Sequence, residues 1–237
     1  MFESYAKKFT TCSIPFLLFV LICTCAVSFA GEKASLRLGW IKDISSGGPI
    51  VAKEKGFFED RNIDMEIKSG GFELDPVKLV VSGSDTFGVT GADSLLTARS
   101  KGIPIVAIGV EYQRSPVCLI SRKKEGITQP KDLKGKKVGV KYATDAETAY
   151  QNLLKKYDIN RDKIKEVPVK WDMTPFLTGR LDVLPGYTIN EPRIARNNGL
   201  KINVMEVADF GIQMYGNVYF TTKKNVRENP ELVERFL

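Results

Sequence analysis

Four short stretches of this sequence gather residues suited to touching a small ligand. Trp40 to Gly48, Thr90 to Ser94, Tyr142 to Thr148 and Gly186 to Glu191 each mix small, hydroxyl and aromatic residues. That mixture offers close backbone approach, hydrogen bonds and a stacking face. Trp40 reads either as a surface for a flat ring or as a core residue, and Tyr187, after Gly186, as a second aromatic face. Gly91 allows close backbone approach, while Asp93 and Ser94 open a helix as caps or as ligand groups. Glu191 also begins a helix, where an acid stabilises the dipole or serves as an acceptor. Thr144 and Asn190 complete the candidate set.

The same composition is poor in catalytic parts. The 237 residues contain no histidine, which removes Ser-His-Asp and Cys-His arrangements and every histidine-containing metal site. Cys118 lies in the apolar run Val117-Cys118-Leu119-Ile120 and reads as a small buried hydrophobe rather than a nucleophile. Phosphate-loop, dinucleotide-binding and zinc motifs do not occur, and no strip of basic and aromatic residues suggests nucleic acid. A binding protein without catalysis, metal or cofactor is the expectation. The net charge of +7 is spread over turns and helix faces, as on a solvated surface.

These stretches must be held by something, and the patterning says what. Lys7 and Lys8, an apolar run from Ile14 to Val27 and small residues in Ser28-Phe29-Ala30 make residues 1–30 a secretory signal, cleaved after Ala30. Cys12, Cys23 and Cys25 leave with it, so Cys118 has no partner for an intramolecular disulfide. Strand-like alternation at Leu36-Leu38-Trp40 and Ile63-Met65-Ile67 is followed by a helix that Asp75 caps and Pro76 begins. Phe87 and Val89 form a further strand, and Gly91 to Lys101 a helix with Leu95, Leu96 and Ala98 inward. Ile103 to Val110 is apolar enough for a strand buried on both faces. Repeated strand–helix units of this kind predict a parallel sheet covered by helices. From Ser115 the pattern begins again. Strands are predicted at 117–121, 137–141, 164–167, 181–184, 202–207 and 218–222, with helices over 144–157 and 191–198. In open α/β sheets ligands settle beyond the carboxyl ends of the strands, which is where the four stretches fall. The final helix, from Pro230, carries apolar residues to Leu237 and reads as cut short.

Several blocks resemble a known family of solute receptors, those of nitrate, sulfonate, taurine and thiamine-pyrimidine importers. They are Gly48-Pro49-Ile50-Val51-Ala52-Lys53-Glu54-Lys55-Gly56-Phe57-Phe58, Phe87 to Ser94 with Lys101-Gly102-Ile103-Pro104, and Asp132 to Val140. The run Leu177 to Asp182, then Gly186-Tyr187 and Asn190-Glu191-Pro192, resembles the subgroup that binds thiamine-pyrimidine precursors. The resemblance implies a two-lobed type II periplasmic-binding fold, α/β in class, with ligand in a cleft between lobes. Lobe one would cover residues 34–113, lobe two 114–208, and residues 209–237 would return to lobe one, incomplete because full-length relatives run on. It further implies a periplasmic or secreted monomer that hands a small molecule to an ABC permease and its ATPase and meets the membrane only through that permease. In the pyrimidine subgroup Glu191 would accept paired hydrogen bonds from an aminopyrimidine. An anion receptor would instead need a cleft cation, for which Arg114 is the best-placed candidate, although Ser115-Pro116 make it a hinge residue. Two alternatives remain: the sensing domain of a membrane signalling protein, and a pyrimidine synthase like eukaryotic relatives that consume a histidine of their own chain with pyridoxal phosphate.

Overall fold

The structure, a computed structural model, describes residues 31–71, 73–142, 144–170 and 172–237. The expected signal segment and its cleavage site lie outside the described residues. The first part of the chain forms β1 (Glu32–Arg37), α1 (Gly47–Glu54), α2 (Phe57–Asp60), β2 (Ile63–Lys68), α3 (Pro76–Val81), β3 (Phe87–Gly91), α4 (Ala92–Ser100) and β4 (Ile105–Val110). The second forms β5 (Val117–Arg122), β6 (Lys137–Val140), α5 (Asp145–Lys156), β7 (Lys165–Pro168), α6 (Thr174–Leu177), β8 (Val183–Tyr187), α7 (Glu191–Asn197) and β9 (Ile202–Glu206). The chain then adds β10 (Asn217–Thr222), α8 (Lys223–Glu228) and α9 (Pro230–Phe236).

Two five-stranded sheets result, in the orders β2-β1-β3-β10-β4 and β7-β6-β8-β5-β9. Their pairing follows one pattern. Three strands run parallel at one side, and the fourth strand in each order is antiparallel to both neighbours. The sheets are therefore mixed, which corrects the expected all-parallel arrangement: β10 and β5 enter from the opposite lobe and so run the other way. Two adjacent segments make these crossings, and backbone bonds tie them together, from Ser115 N–H to Met214 O at 2.8 Å and from Gly216 N–H to Tyr112 O at 2.8 Å.

Each sheet has its own core. Leu36, Ile63, Met65 and Phe87 are buried in the first, where Phe236 of α9 stacks on Phe87 at 4.0 Å between ring centroids. Val117, Leu133, Val138, Tyr150 and Leu153 fill the second. A fully buried side chain of this size contributes about 1.5–3 kcal/mol. Asp75 caps α3 through Val77 N–H at 2.9 Å, as the sequence predicts, and Thr144, expected as the first helical residue, instead caps α5 through Glu147 N–H. Cys118 is fully buried, and burial pushes its thiol pKa up, as suits a packing residue. Two apolar readings need correction. Leu96 is 66% exposed, because α4 turns Leu95 and Ala98 inward instead. The strand β4 lies at a sheet edge, and Ile105 is its one fully buried residue, so the apolar run did not mark burial on both faces.

Candidate functional site

Where the two sheets face each other, the chain encloses a cavity of about 780 Å³. Its wall includes all eight residues singled out from sequence: Trp40, Gly91, Asp93, Ser94, Thr144, Tyr187, Asn190 and Glu191. They arrive by one route. Trp40 follows β1, Gly91 ends β3, Thr144 follows β6 and Tyr187 ends β8, so strand ends from both sheets converge on the cavity. Helices α4, α5 and α7 then begin at its wall, which places Asp93 and Ser94, Asp145, and Asn190 and Glu191 there.

The second-sheet wall is fastened. Glu191 is only 4% exposed and Lys141 3%, and their side chains meet at 2.7 Å between Oε1 and Nζ. The other oxygen, Glu191 Oε2, accepts the Tyr187 N–H at 2.8 Å. This close packing requires Gly186, since a Cβ there would lie 2.5 Å from the Glu191 carboxylate. Both Glu191 oxygens therefore have a donor inside the protein, one each, and the carboxylate keeps further acceptor capacity on the cavity wall. The Tyr187 hydroxyl donates to Asp145 Oδ2 at 2.6 Å, and the ring meets Tyr112 edge-on, with centroids 6.4 Å apart. Burial raises the Asp145 pKa above the ordinary carboxylate value; the Tyr187 hydrogen bond opposes the rise and the nearby Asp93 charge adds to it.

The first-sheet wall is looser. Gly91 is the N-cap of α4 and makes no side-chain cap, so Asp93 does not serve as the cap. Asp93 Oδ2 instead accepts from Thr148 Oγ1 at 2.8 Å, across the cleft, while its Oδ1 is buried with no hydrogen-bond partner. Ser94 is exposed at the rim. Sequence reasoning missed Glu111, whose carboxylate accepts from Asn217 Nδ2 at 2.9 Å; burial raises its pKa, and its bonds to Asn217 and Tyr219 oppose the rise. Burial likewise pushes the neighbouring Tyr112 hydroxyl up to about 12. Lys141 was missed too. Its signal was a lone lysine directly after the apolar strand Val138-Gly139-Val140.

Charge in the cavity runs against charge on the chain. Among the described residues seven carboxylates line it, against two lysines, Lys78 and Lys101, both exposed. Arg114 is not among the lining residues; it is exposed and pairs with Asp209 at 2.5 Å and Glu206 at 3.4 Å. Acceptors beside Trp40, Tyr142, Tyr187 and Tyr219 suit a flat ligand with N–H donors or positive charge. Among the described residues no histidine, cysteine or carboxylate cluster could hold a metal.

This architecture is the type II periplasmic-binding fold. It matches the aliphatic sulphonate-binding protein SsuA of Escherichia coli with a TM-score of 0.68 at 18% identity, over 86% of this chain and 69% of that one. The chain belongs to the NMT1/THI5 like family, whose model matches residues 44–237. A Haemophilus influenzae protein named for thiamine biosynthesis is 27% identical over 84% of the chain, and the riboflavin-binding protein RibY of Chloroflexus aurantiacus is 24% identical over 87%. A Legionella pneumophila relative named 4-amino-5-hydroxymethyl-2-methylpyrimidine phosphate synthase is 24% identical over 90% of the chain. The chain spans 64%, 60% and 68% of the lengths of these three relatives.

Proposed function

We propose that this chain is an extracytoplasmic solute receptor of an ABC importer, binding a small nitrogen heterocycle between its lobes without chemistry. A thiamine-pyrimidine precursor is the leading ligand. The observation that carries the reading is the acidic, aromatic wall of the cavity in a chain of net charge +7. Ring faces stack, and carboxylates accept from ring amines; charge assistance strengthens such bonds. Asp93 and Glu111 are the acceptors best placed for this, with Trp40 and Tyr187 as ring faces, while Glu191 acts through Tyr187 by fixing its backbone. A sulfonate or nitrate would enter this acid-rich cleft without a buried free cation to meet it. Gly91, Thr144 and Asn190 on the same wall would supply close approach and hydrogen bonds.

The second reading is a pyrimidine synthase, favoured by the name of the Legionella relative. Against it, the chain has no histidine to serve as the substrate that the family resemblance implies. A thermal-shift screen tests the heterocycle receptor against an anion receptor. Aminopyrimidines, riboflavin, taurine, alkanesulfonates and nitrate are each added to the folded protein. A ligand at 100 times its dissociation constant stabilises the native state by about 2.7 kcal/mol. The heterocycles should raise the melting temperature, and the anions should not. A shift with anions alone would overturn the proposal.

A further inference from the structure

Two carboxylates from opposite sides of the cleft meet where α4 and α5 begin. Asp93, in the first turn of α4, accepts from Thr148 of α5 at 2.8 Å, a hydrogen bond that crosses between the lobes. A Cβ placed on Gly91 would lie 2.6 Å from Asp93 Oδ1 and 3.4 Å from Asp145 Cβ, so the two acids share one small space. Asp145 has donors on both oxygens, Ala146 N–H at 2.9 Å and the Tyr187 hydroxyl at 2.6 Å. Asp93 Oδ1 is out of reach of water and has none. A charged oxygen without a donor, beside a second carboxylate, is costly to bury. A proton on Asp145, or separation of the lobes, eases that cost.

We propose that Asp93 and Asp145 form a proton-governed latch: a proton held by Asp145 beside Asp93 lets the lobes stay together along this edge, and its loss drives the cleft open. The proton is assigned to Asp145, the acid that burial and the neighbouring Asp93 charge both push toward its neutral form. Other titrating groups around it are accounted for. Lys141, after β6, is bonded to Glu191 of α7, Tyr187 of β8 donates to Asp145, and Tyr112 packs edge-on against Tyr187. Glu147 of α5 and Glu111 of the crossing segment add negative charge to the same cavity and act in the same direction. The closed form binds the proton more tightly, because the acids are close and dry only there. By linkage, closure is favoured as pH falls and opening as pH rises, over a range above the ordinary carboxylate pKa.

The device rests on the two-lobed receptor reading only in that the lobes move, so its test omits ligand. Small-angle scattering of the full chain at about pH 8 and about pH 5, both well clear of ordinary lysine titration, should give a smaller radius of gyration at the lower pH. Asp93→Asn, which keeps the shape and removes one charge, should be compact at both. A wild-type radius that does not change, or an Asp93→Asn variant that changes as the wild type does, would overturn the latch. If Asp93→Asn does not fold, Thr148→Val serves instead: without the crossing hydrogen bond the compaction should move to lower pH, and an unmoved transition would overturn the proposal. A ligand screen without hits, alongside a wild-type shift that Asp93→Asn abolishes, fails the receptor reading and upholds the latch. A clear hit with pH-invariant scattering does the reverse.

Discussion

The two lobes carry the same sheet and spend their buried charge in different places. In the first lobe it is Asp85, which binds Arg37 at 2.8 Å, Lys68 at 3.0 Å and Ser35 at 3.1 Å. None of these four residues lines the cavity, and together they fasten β1 and β2 to the entry of β3. In the second lobe the buried charge is the pair Lys141–Glu191, of which Glu191 lines the cavity. One network secures a sheet; the other shapes a binding surface. The difference teaches that the second lobe's wall is fastened from within by its own ion pair, while the first lobe's wall, with Ser94 exposed and Asp93 Oδ1 without a partner, is not.

The sharpest way to break this comparison is to remove one cation from each network. Lys141→Met strands Glu191 in a buried site, and breaking such a pair costs about 3–5 kcal/mol. Adding Glu191→Leu should recover most of that loss, because the cost lies in the unpaired charge rather than in the missing attraction. Arg37→Met should cost clearly less, since Lys68 and Ser35 still hold Asp85. Denaturant titrations of the three variants read the order directly. Equal losses for Arg37→Met and Lys141→Met would remove the contrast between lobes.

Asp85 offers the next test, through pH. Its pKa is lowered: burial would raise it, but hydrogen bonds from Arg37, Lys68 and Ser35 outweigh that. A carboxylate depressed in the folded state contributes stability above its unfolded pKa, and the contribution is lost as pH falls through the folded value. Wild-type stability should therefore fall steeply below about pH 4, where unfolded aspartates take up protons. Asp85→Asn should lose about 1.5–3 kcal/mol at neutral pH and show a flatter acid limb. An acid limb as steep as the wild type's would mean that other carboxylates govern it.

These networks also mark where the sequence was legible. Local signals placed most elements: Asp75-Pro76 started α3, the amphipathic pattern over 144–157 marked α5, and period-two alternation marked β2. They also drew the eight site residues to the strand ends and helix starts that surround one cavity. What failed was anything decided by distant partners. Ile103 to Val110 looked like a central strand, but neighbours 110 residues away set its edge position. The pairing of Glu191 with Lys141, fifty residues earlier, likewise left no local trace. The short helices α2 and α8 escaped notice because four and six residues carry too little periodicity.

A smaller effect should follow from Tyr187→Phe. It keeps the ring face in the cavity and removes the hydroxyl that donates to Asp145. The cost should be about 1.5 kcal/mol, the lower end of the range for a hydrogen bond to a charged group. Asp145 should also titrate higher, because the bond that opposes its raised pKa is gone. Stability should then improve on mild acidification more than in the wild type, since protonating Asp145 removes the stranded charge. Unfolding midpoints at two pH values measure both parts. A variant with wild-type pH dependence would detach Tyr187 from the carboxylate cluster.

The smallest effect belongs to Arg114, and its smallness is informative. As the candidate cation of an anion site, it would have to face the cleft. It is exposed and paired with Asp209 and Glu206 beside the crossing segments, outside the cavity wall. Exposed ion pairs gain little in water and are screened by salt, so Arg114→Ala should leave the melting temperature unchanged. Binding of whichever heterocycle the screen identifies should also survive the change. Removing the only arginine once expected to meet an anion then alters neither fold nor ligand, which is what an acid-lined cleft requires. Loss of ligand binding in Arg114→Ala, measured by titration calorimetry with stability intact, would put the cation back in the site and reverse the charge argument on which the heterocycle reading stands.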